Sequence, residues 1–159
     1  MLLNTENLVV QQATAGDFDD LCRLLNASDL PTTDLQPEML NHFVLVRDTA
    51  GLAGAAGLEP YGDAALVRSL CTRQGLRGQG LGRQLLTALV EQASRLKIRK
   101  LYLLTQTAGD FFAKHGFAPT DRATAPAGIR ASQQFSGLCP ASALFMAADL
   151  RSLLAGEAK

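Results

Sequence analysis

The chain has 159 residues, which is the length of one ordinary domain and enough to bury a hydrophobic core. Hydrophobic residues make up 47% of it and charged residues 19%, a balance that excludes an intrinsically disordered protein. Fifteen basic residues offset fifteen acidic ones, so no bulk charge attracts nucleic acid or an anionic membrane, and any anion site must be local. The sequence has neither a signal-peptide pattern nor a membrane-spanning run, which predicts a cytoplasmic location.

The cysteines Cys22, Cys71 and Cys139 are odd in number and widely spaced, and they form no CxxC pair. This pattern predicts neither a disulfide framework nor a zinc site, and no metal is expected. The simplest interpretation is that each cysteine is a reduced, partly buried small hydrophobe. A protein that binds a metalloid through these thiols remains an alternative.

The first half of the chain predicts one helix and a group of strands. A short strand at 8–12 precedes a helix whose start is indicated by Thr14 and Asp17, and Pro31 marks the loop that follows it. A short helix is predicted around 37–41. Three strands separated by turn residues follow, at 43–47, 52–58 and 64–71. We therefore expect an antiparallel meander.

In the second half the apolar period changes from that of a strand to that of a helix. Leucines recur at helical spacing from Leu81 to Leu96, and an apolar strand follows at 100–105. Because a helix joins this strand to the one at 64–71, the two should be parallel. The remaining predictions are a short helix at 108–115, an extended segment at 117–119, a helical connection at 126–137, a last strand at 142–147 and a loose tail at 155–159. The fold class is therefore α/β (α+β), with a mixed, mostly antiparallel sheet.

A glycine-rich loop, Arg77-Gly78-Gln79-Gly80-Leu81-Gly82, lies between a strand and the long helix. Without side chains at its three glycines, the backbone can approach a phosphate closely, and the N–H groups of the first helical turn favour an anion. Arg77 and Arg83 add local positive charge. The loop therefore predicts a pyrophosphate site. The alternative is a tight turn in which the glycines only supply positive φ angles.

Two other nucleotide-binding folds do not fit this loop. A dinucleotide fold needs repeated parallel crossovers and an acidic residue about twenty positions beyond the glycines, where Thr105 and Gln106 stand instead. A Walker loop needs Gly-Lys-Ser or Gly-Lys-Thr after its glycines, and neither follows here.

Two motifs resemble the GNAT family of N-acetyltransferases: Arg77-x-x-Gly80-x-Gly82, and Phe112-Ala113-Lys114-His115-Gly116-Phe117. The resemblance implies one N-acetyltransferase domain over 1–159, with a splayed parallel strand pair, helices on both faces of the sheet and acetyl-CoA as co-substrate. It also implies that the N–H of Leu70 polarises the thioester carbonyl. The residues that it assigns to the cofactor are Leu70, Cys71, Arg77, Gly78, Gln79, Gly80, Leu81, Gly82, Arg83 and Phe112.

Two further segments resemble the small N-acetyltransferases encoded with bacterial arsenic-resistance genes: Leu103-Leu104-Thr105-Gln106-Thr107-Ala108, and the stretch from Phe135 to Ser142. The Leu-Leu-Thr portion is also similar to the acetyltransferase domain of N-acetylglutamate synthases. This resemblance implies an amino-acid-like amine substrate, such as an arsenic-containing or phosphinic amino acid, with Thr105 as a substrate contact. A homodimer that uses the strand from Ala143 to Met146 is a further expectation.

The catalytic residues are predicted from side-chain chemistry. Glu59, at a strand end, could accept the amine proton directly or through water, or could be a solvated turn carboxylate. Arg68 lies inside an apolar strand, so its charge needs either a substrate carboxylate or a structural salt bridge. Cys139 is a candidate proton donor or metalloid contact. Many GNAT enzymes carry a tyrosine acid where this chain has Phe112, which favours the alternative of a non-catalytic acetyl-CoA sensor.

Overall fold

The computed structural model describes residues 8–76, 78, 80–138 and 142–157. Three residues with predicted site roles, Arg77, Gln79 and Cys139, lie outside the described residues. Within the described part of the chain, no helix has both the length and the apolar character needed to cross a bilayer.

The described residues form seven strands and five α-helices. The strands are β1 (Val10–Gln12), β2 (Phe43–Asp48), β3 (Gly51–Tyr61), β4 (Ala64–Thr72), β5 (Lys100–Thr105), β6 (Ala118–Pro119) and β7 (Leu144–Asp149). The helices are α1 (Phe18–Ala27), α2 (Leu81–Arg95), α3 (Gly109–Lys114), α4 (Ala127–Ala131) and α5 (Leu150–Glu157). The strand order in the sheet is β1-β2-β3-β4-β5-β7-β6. This is the mixed, mostly antiparallel sheet that the sequence predicts.

The chain divides into two compact units, of which the first comprises Met1–Gly57 and Ser69–Leu89. In it β2 pairs antiparallel with both β1 and the first part of β3. A Cβ atom added to Gly54 of β3 would lie 2.9 Å from Leu85 Cδ1 and 3.1 Å from the carbonyl oxygen of Cys71, so the missing side chain lets the first turns of α2 pack closely on the strand. The core residues of this unit include Leu21, Leu25, Leu35, Leu40, Phe43, Leu45 and Ala55.

The second unit comprises Leu58–Arg68 and Val90–Lys159. Its strands include the one parallel pair among the described pairings, in which Ala64–Val67 of β4 lies beside Lys100–Leu103 of β5. That pairing ends at Val67 and Leu103, although β4 continues to Thr72 and β5 to Thr105. β7 pairs antiparallel with β5 and β6, so it is flanked on both sides. The core of the unit contains Ala64, Leu66, Tyr102, Ala125, Ile129 and Phe145.

The C-terminal segment differs from the sequence prediction. The last strand begins at Leu144 and extends to Asp149, and α5 runs from Leu150 to Glu157, into the segment for which a loose tail was expected. The buried residues Leu150 and Leu153 hold this helix to the unit. Two buried leucines give too short an apolar pattern to predict a helix, which explains the error.

Candidate active site

The glycine loop of the first unit combines a left-handed backbone with open space. Gly78 has φ of 81° and Gly80 has φ of 82°, values that favour glycine and that both the tight turn and the pyrophosphate site would use. A Cβ atom added at either position would meet nothing within 4 Å in the described part of the chain. The glycines therefore do not serve internal packing here. Their exposed backbone can approach a ligand.

The helix after the loop adds the features of an anion site. α2 begins at Leu81, which is 1% exposed, and the N–H of Gln84 donates to the carbonyl oxygen of Gly80 at 3.2 Å. The N–H groups of the preceding turn have no partner inside the helix, and the helix dipole places partial positive charge beside them. Arg83 is exposed in the same turn. The residues present therefore fit a pyrophosphate group.

Ser69 in β4 has a strained backbone that the sequence did not predict. Its φ is 61°, although it lies inside a strand and is not glycine. Such a conformation costs about 1–2 kcal/mol, and strain of this kind concentrates at functional sites. The regular alternation of the strand is therefore interrupted at this residue. Leu70 and Cys71, the predicted cofactor contacts, follow directly and are half-buried.

In the second unit, Glu59 and Arg68 form an ion pair. Arg68 Nη1 lies 2.6 Å from Glu59 Oε1, and the side chains are 1% and 11% exposed, respectively. The predicted structural salt bridge is therefore confirmed, and Glu59 is not a solvated turn carboxylate. The sequence indicated that Arg68 needed a partner, but it did not indicate that Glu59 was the partner.

Tyr61 binds the other oxygen of the same carboxylate. Its hydroxyl donates to Glu59 Oε2 at 2.6 Å. Burial, followed by the bond to Glu59 and the charge of that residue, raises the pKa of Tyr61 well above its usual value of 10.0. Sequence reasoning missed this tyrosine. The signal was its position two residues after Glu59, because alternate residues of a strand share a face.

Thr105 and Phe112 have structural roles in the second unit. The N–H of Ala108 donates to Thr105 Oγ1 at 2.9 Å, so this hydroxyl supports the turn after β5. Phe112 is 5% exposed, and its ring centroid lies 5.6 Å from that of Phe117 and 5.2 Å from that of Phe111. Their assignments to substrate and cofactor remain predictions.

The two described cysteines resemble ordinary hydrophobic residues more than reactive thiols. Cys22 and Cys71 are both half-buried and pack against the core of the first unit. Burial, assisted by the charge of Asp19, raises the pKa of the Cys22 thiol. A raised pKa leaves less of the nucleophilic thiolate at neutral pH.

A comparison with known protein families identifies the family of this chain. Residues 40–119, half of the chain, match the family described as the acetyltransferase (GNAT) domain. The chain belongs to the GNAT acetyltransferase family. The matched part of this GNAT domain runs from β2 to β6, and it includes the glycine loop, Glu59 and Arg68.

Solved structures share the fold of this GNAT domain at low sequence identity. N-acetylglutamate synthase from Neisseria gonorrhoeae, complexed with coenzyme A and N-acetyl-glutamate, superposes with a TM-score of 0.77 at 20% identity over 90% of this chain. The match covers 35% of the synthase, so the chain spans about a third of that protein. A Mycobacterium tuberculosis protein in complex with coenzyme A gives 0.74 and 18%, over 89% of this chain and 98% of that one. The PaiA N-acetyltransferase from Thermoplasma acidophilum, also with coenzyme A, gives 0.66 and 13%, over 90% and 99%.

Proposed function

We propose that this GNAT domain transfers the acetyl group of acetyl-CoA to the amine of a small, amino-acid-like substrate. The observation that carries the proposal is the loop before α2, where Gly78 and Gly80 combine positive φ angles with open space at the position of a side chain. Three solved structures of the same fold contain coenzyme A, which supports this choice of co-substrate.

The cofactor contacts in this proposal are mainly backbone groups. The N–H groups of the segment from Gly78 to Arg83 hold the pyrophosphate, with the Arg83 side chain adding charge. The peptide groups of Leu70 and Cys71 pair with the pantetheine arm, and the strained Ser69 sets their direction. The cofactor supplies an activated acetyl thioester.

Glu59 is the proposed acceptor of the amine proton. An amine must lose a proton to complete its attack on an acyl group, and a positioned carboxylate can take that proton directly or through one water. Each Glu59 oxygen already accepts one hydrogen bond, from Arg68 and from Tyr61. A carboxylate offers about four acceptor sites, so the two donors leave it the capacity to bind an ammonium or a water.

Two observations support the proposed substrate class: the charges of Glu59 and Arg68, and the ligand bound in a solved structure of the same fold. A substrate ammonium would suit the Glu59 carboxylate, which is 11% exposed, and Arg68 is the proposed contact of the substrate carboxylate. The Neisseria gonorrhoeae synthase binds N-acetyl-glutamate, an acetylated amino acid, on the same fold. The resemblance to arsenic-resistance acetyltransferases narrows the proposal to arsenic-containing and phosphinic amino acids, and a cytoplasmic location fits that role.

An acetyl-transfer assay tests this function. The purified protein is given acetyl-CoA and a panel of amino acids, beginning with arsenical and phosphinic analogues, and thiol release is followed with each. We expect turnover with part of the panel, a loss of at least about 100-fold in kcat for Glu59→Gln, and a raised substrate KM for Arg68→Lys. The control is Asp63→Asn, which changes an exposed carboxylate beyond the end of β3.

The outcomes separate the alternatives. Acetyl-CoA binding without turnover on any amine would favour the sensor. Full turnover in Glu59→Gln would remove the assigned base.

A further inference from the structure

Tyr61 connects the Glu59 carboxylate to α4. Its hydroxyl donates to Glu59 at 2.6 Å, and its ring lies against Gly128 of α4. The contact with α4 is close, because a Cβ atom added to Gly128 would lie 2.8 Å from Tyr61 Cδ1 and 3.0 Å from Tyr61 Cβ. Only glycine permits this approach without a shift of the ring.

The two donors on Glu59 act at different oxygens. Arg68 binds Oε1 and Tyr61 binds Oε2, each at 2.6 Å. Two bonds at opposite oxygens resist rotation of the carboxylate, which a single bond would allow. Arg68 is itself almost fully buried, so one side of the carboxylate is held from within the sheet, by β4. The other side is held by Tyr61, whose own position depends on α4.

We propose that Tyr61 is a positioning residue, which fixes the Glu59 carboxylate together with Arg68 and makes its orientation depend on the docking of α4 through Gly128. This inference rests on the proposed function, in which Glu59 accepts the amine proton. No proton leaves Tyr61 in this role. Its raised pKa agrees with a phenol that remains a donor at every pH at which the enzyme is assayed.

A titration tests the contact without any turnover. The chain has two tyrosines and no tryptophan, so Tyr102→Phe leaves Tyr61 as the only phenol. At pH 11 an ordinary tyrosine, with a pKa of about 10, is roughly 90% ionised. We expect Tyr102→Phe to show clearly less phenolate absorbance than this at that pH while circular dichroism reports a folded protein. Adding Glu59→Gln should lower the midpoint, because the carboxylate charge is removed.

Kinetics test the consequence for catalysis. Tyr61→Phe keeps the ring and removes the hydroxyl, and Gly128→Ala keeps the hydroxyl and displaces the ring. We expect each to lower kcat about tenfold, the worth of one hydrogen bond, with the KM for acetyl-CoA unchanged. Tyr102→Phe, which alters the tyrosine stacked on Phe145, should retain the parent kcat.

The failures of the two proposals are distinguishable. If Tyr61 titrates with an ordinary pKa, and if Glu59→Gln leaves that pKa unchanged, the hydrogen bond between Tyr61 and Glu59 does not form. Full kcat in Tyr61→Phe and Gly128→Ala, with Glu59→Gln inactive, would overturn the positioning role and leave the proposed function intact. Full kcat in Glu59→Gln would overturn the base assignment, and the positioning role with it, whatever the titration shows.

Discussion

The guanidinium of Arg68 is almost completely removed from water, and Glu59 is the carboxylate that compensates its charge. Removing one partner of a buried ion pair strands the other and costs about 3–5 kcal/mol. Because Glu59 keeps slight exposure, we expect Arg68→Met to lower the free energy of unfolding by about 3 kcal/mol. Urea denaturation measures this, with the slope of the transition checked for constancy.

The matched control is the double variant Arg68→Met with Glu59→Leu, which replaces both charges by apolar groups. It should be more stable than Arg68→Met alone, since no buried charge is left unpaired. If the loss of stability in the double variant equals the sum of the losses in Arg68→Met and Glu59→Leu, the ion pair does not form in solution.

At single residues, the sequence predicted chemistry better than contacts. The charge inside an apolar strand indicated that Arg68 needed a partner, but the sequence analysis missed Tyr61, although it stands two residues after Glu59. The meeting of these three side chains depends on how β4 pairs with β3, which no local pattern fixes. Ser69 gave no signal, because serine is not a residue that favours positive φ.

Among the elements, the β2–β3 hairpin depends on a glycine opposite an aromatic ring. Gly57 pairs with Phe43, and a Cβ atom at Gly57 would lie 2.4 Å from the Phe43 ring. Phe43 is 0% exposed, so its ring has little room to move. We expect Gly57→Ala to lower the free energy of unfolding by about 1–3 kcal/mol, measured by urea denaturation.

Gly16→Ala is the control for this substitution, because its added Cβ would meet only Thr14 Oγ1, at an ordinary 3.7 Å. It should leave stability within about 0.5 kcal/mol of the parent. A second variant, Gly57→Ala with Phe43→Leu, should recover part of the loss. Equal stability of Gly57→Ala and the parent would show that the ring is not packed against this glycine.

Elements with a long apolar pattern, or with turn residues at their ends, were predictable from the sequence, and short elements were not. The leucine period from Leu81 gave α2 to within one residue of its observed end, and the apolar run gave β5 as observed. α5 has only two buried leucines, and the polar connection after Pro126 contains both α4 and a separate π-helical segment, Gln134–Leu138. These short elements are defined by tertiary packing rather than by local sequence.

For the molecule as a whole, stability should fall in acid because of Asp48. The hydrogen bond from Arg73 is the largest cause that lowers the pKa of this carboxyl below its usual 3.8, and burial opposes it. The unfolded chain then binds the proton more readily than the folded one. The stabilisation is fully present above the unfolded pKa of 3.8 and is lost as the pH falls through the folded value.

We therefore expect the free energy of unfolding to fall between pH 7 and pH 3, and to fall less in Asp48→Asn, which lacks this group. Urea denaturation at both pH values measures the difference. In Asp19→Asn, which changes an exposed position of α1, the free energy of unfolding should fall as much as in the parent. An Asp48→Asn variant that loses as much stability in acid as the parent would contradict this account.

The measurement that tests the central claim most directly is a thermal-shift titration with acetyl-CoA of the parent, Gly80→Glu and Gly62→Glu. Gly62 has φ of 67° and open space around it, so its variant carries a similar strain and the same added charge at a turn outside the loop. Both variants should melt below the parent. Acetyl-CoA should raise the melting temperature of the parent and Gly62→Glu by similar amounts and leave Gly80→Glu unchanged. A shift of equal size in all three proteins, or in none, would contradict a pyrophosphate site at this loop.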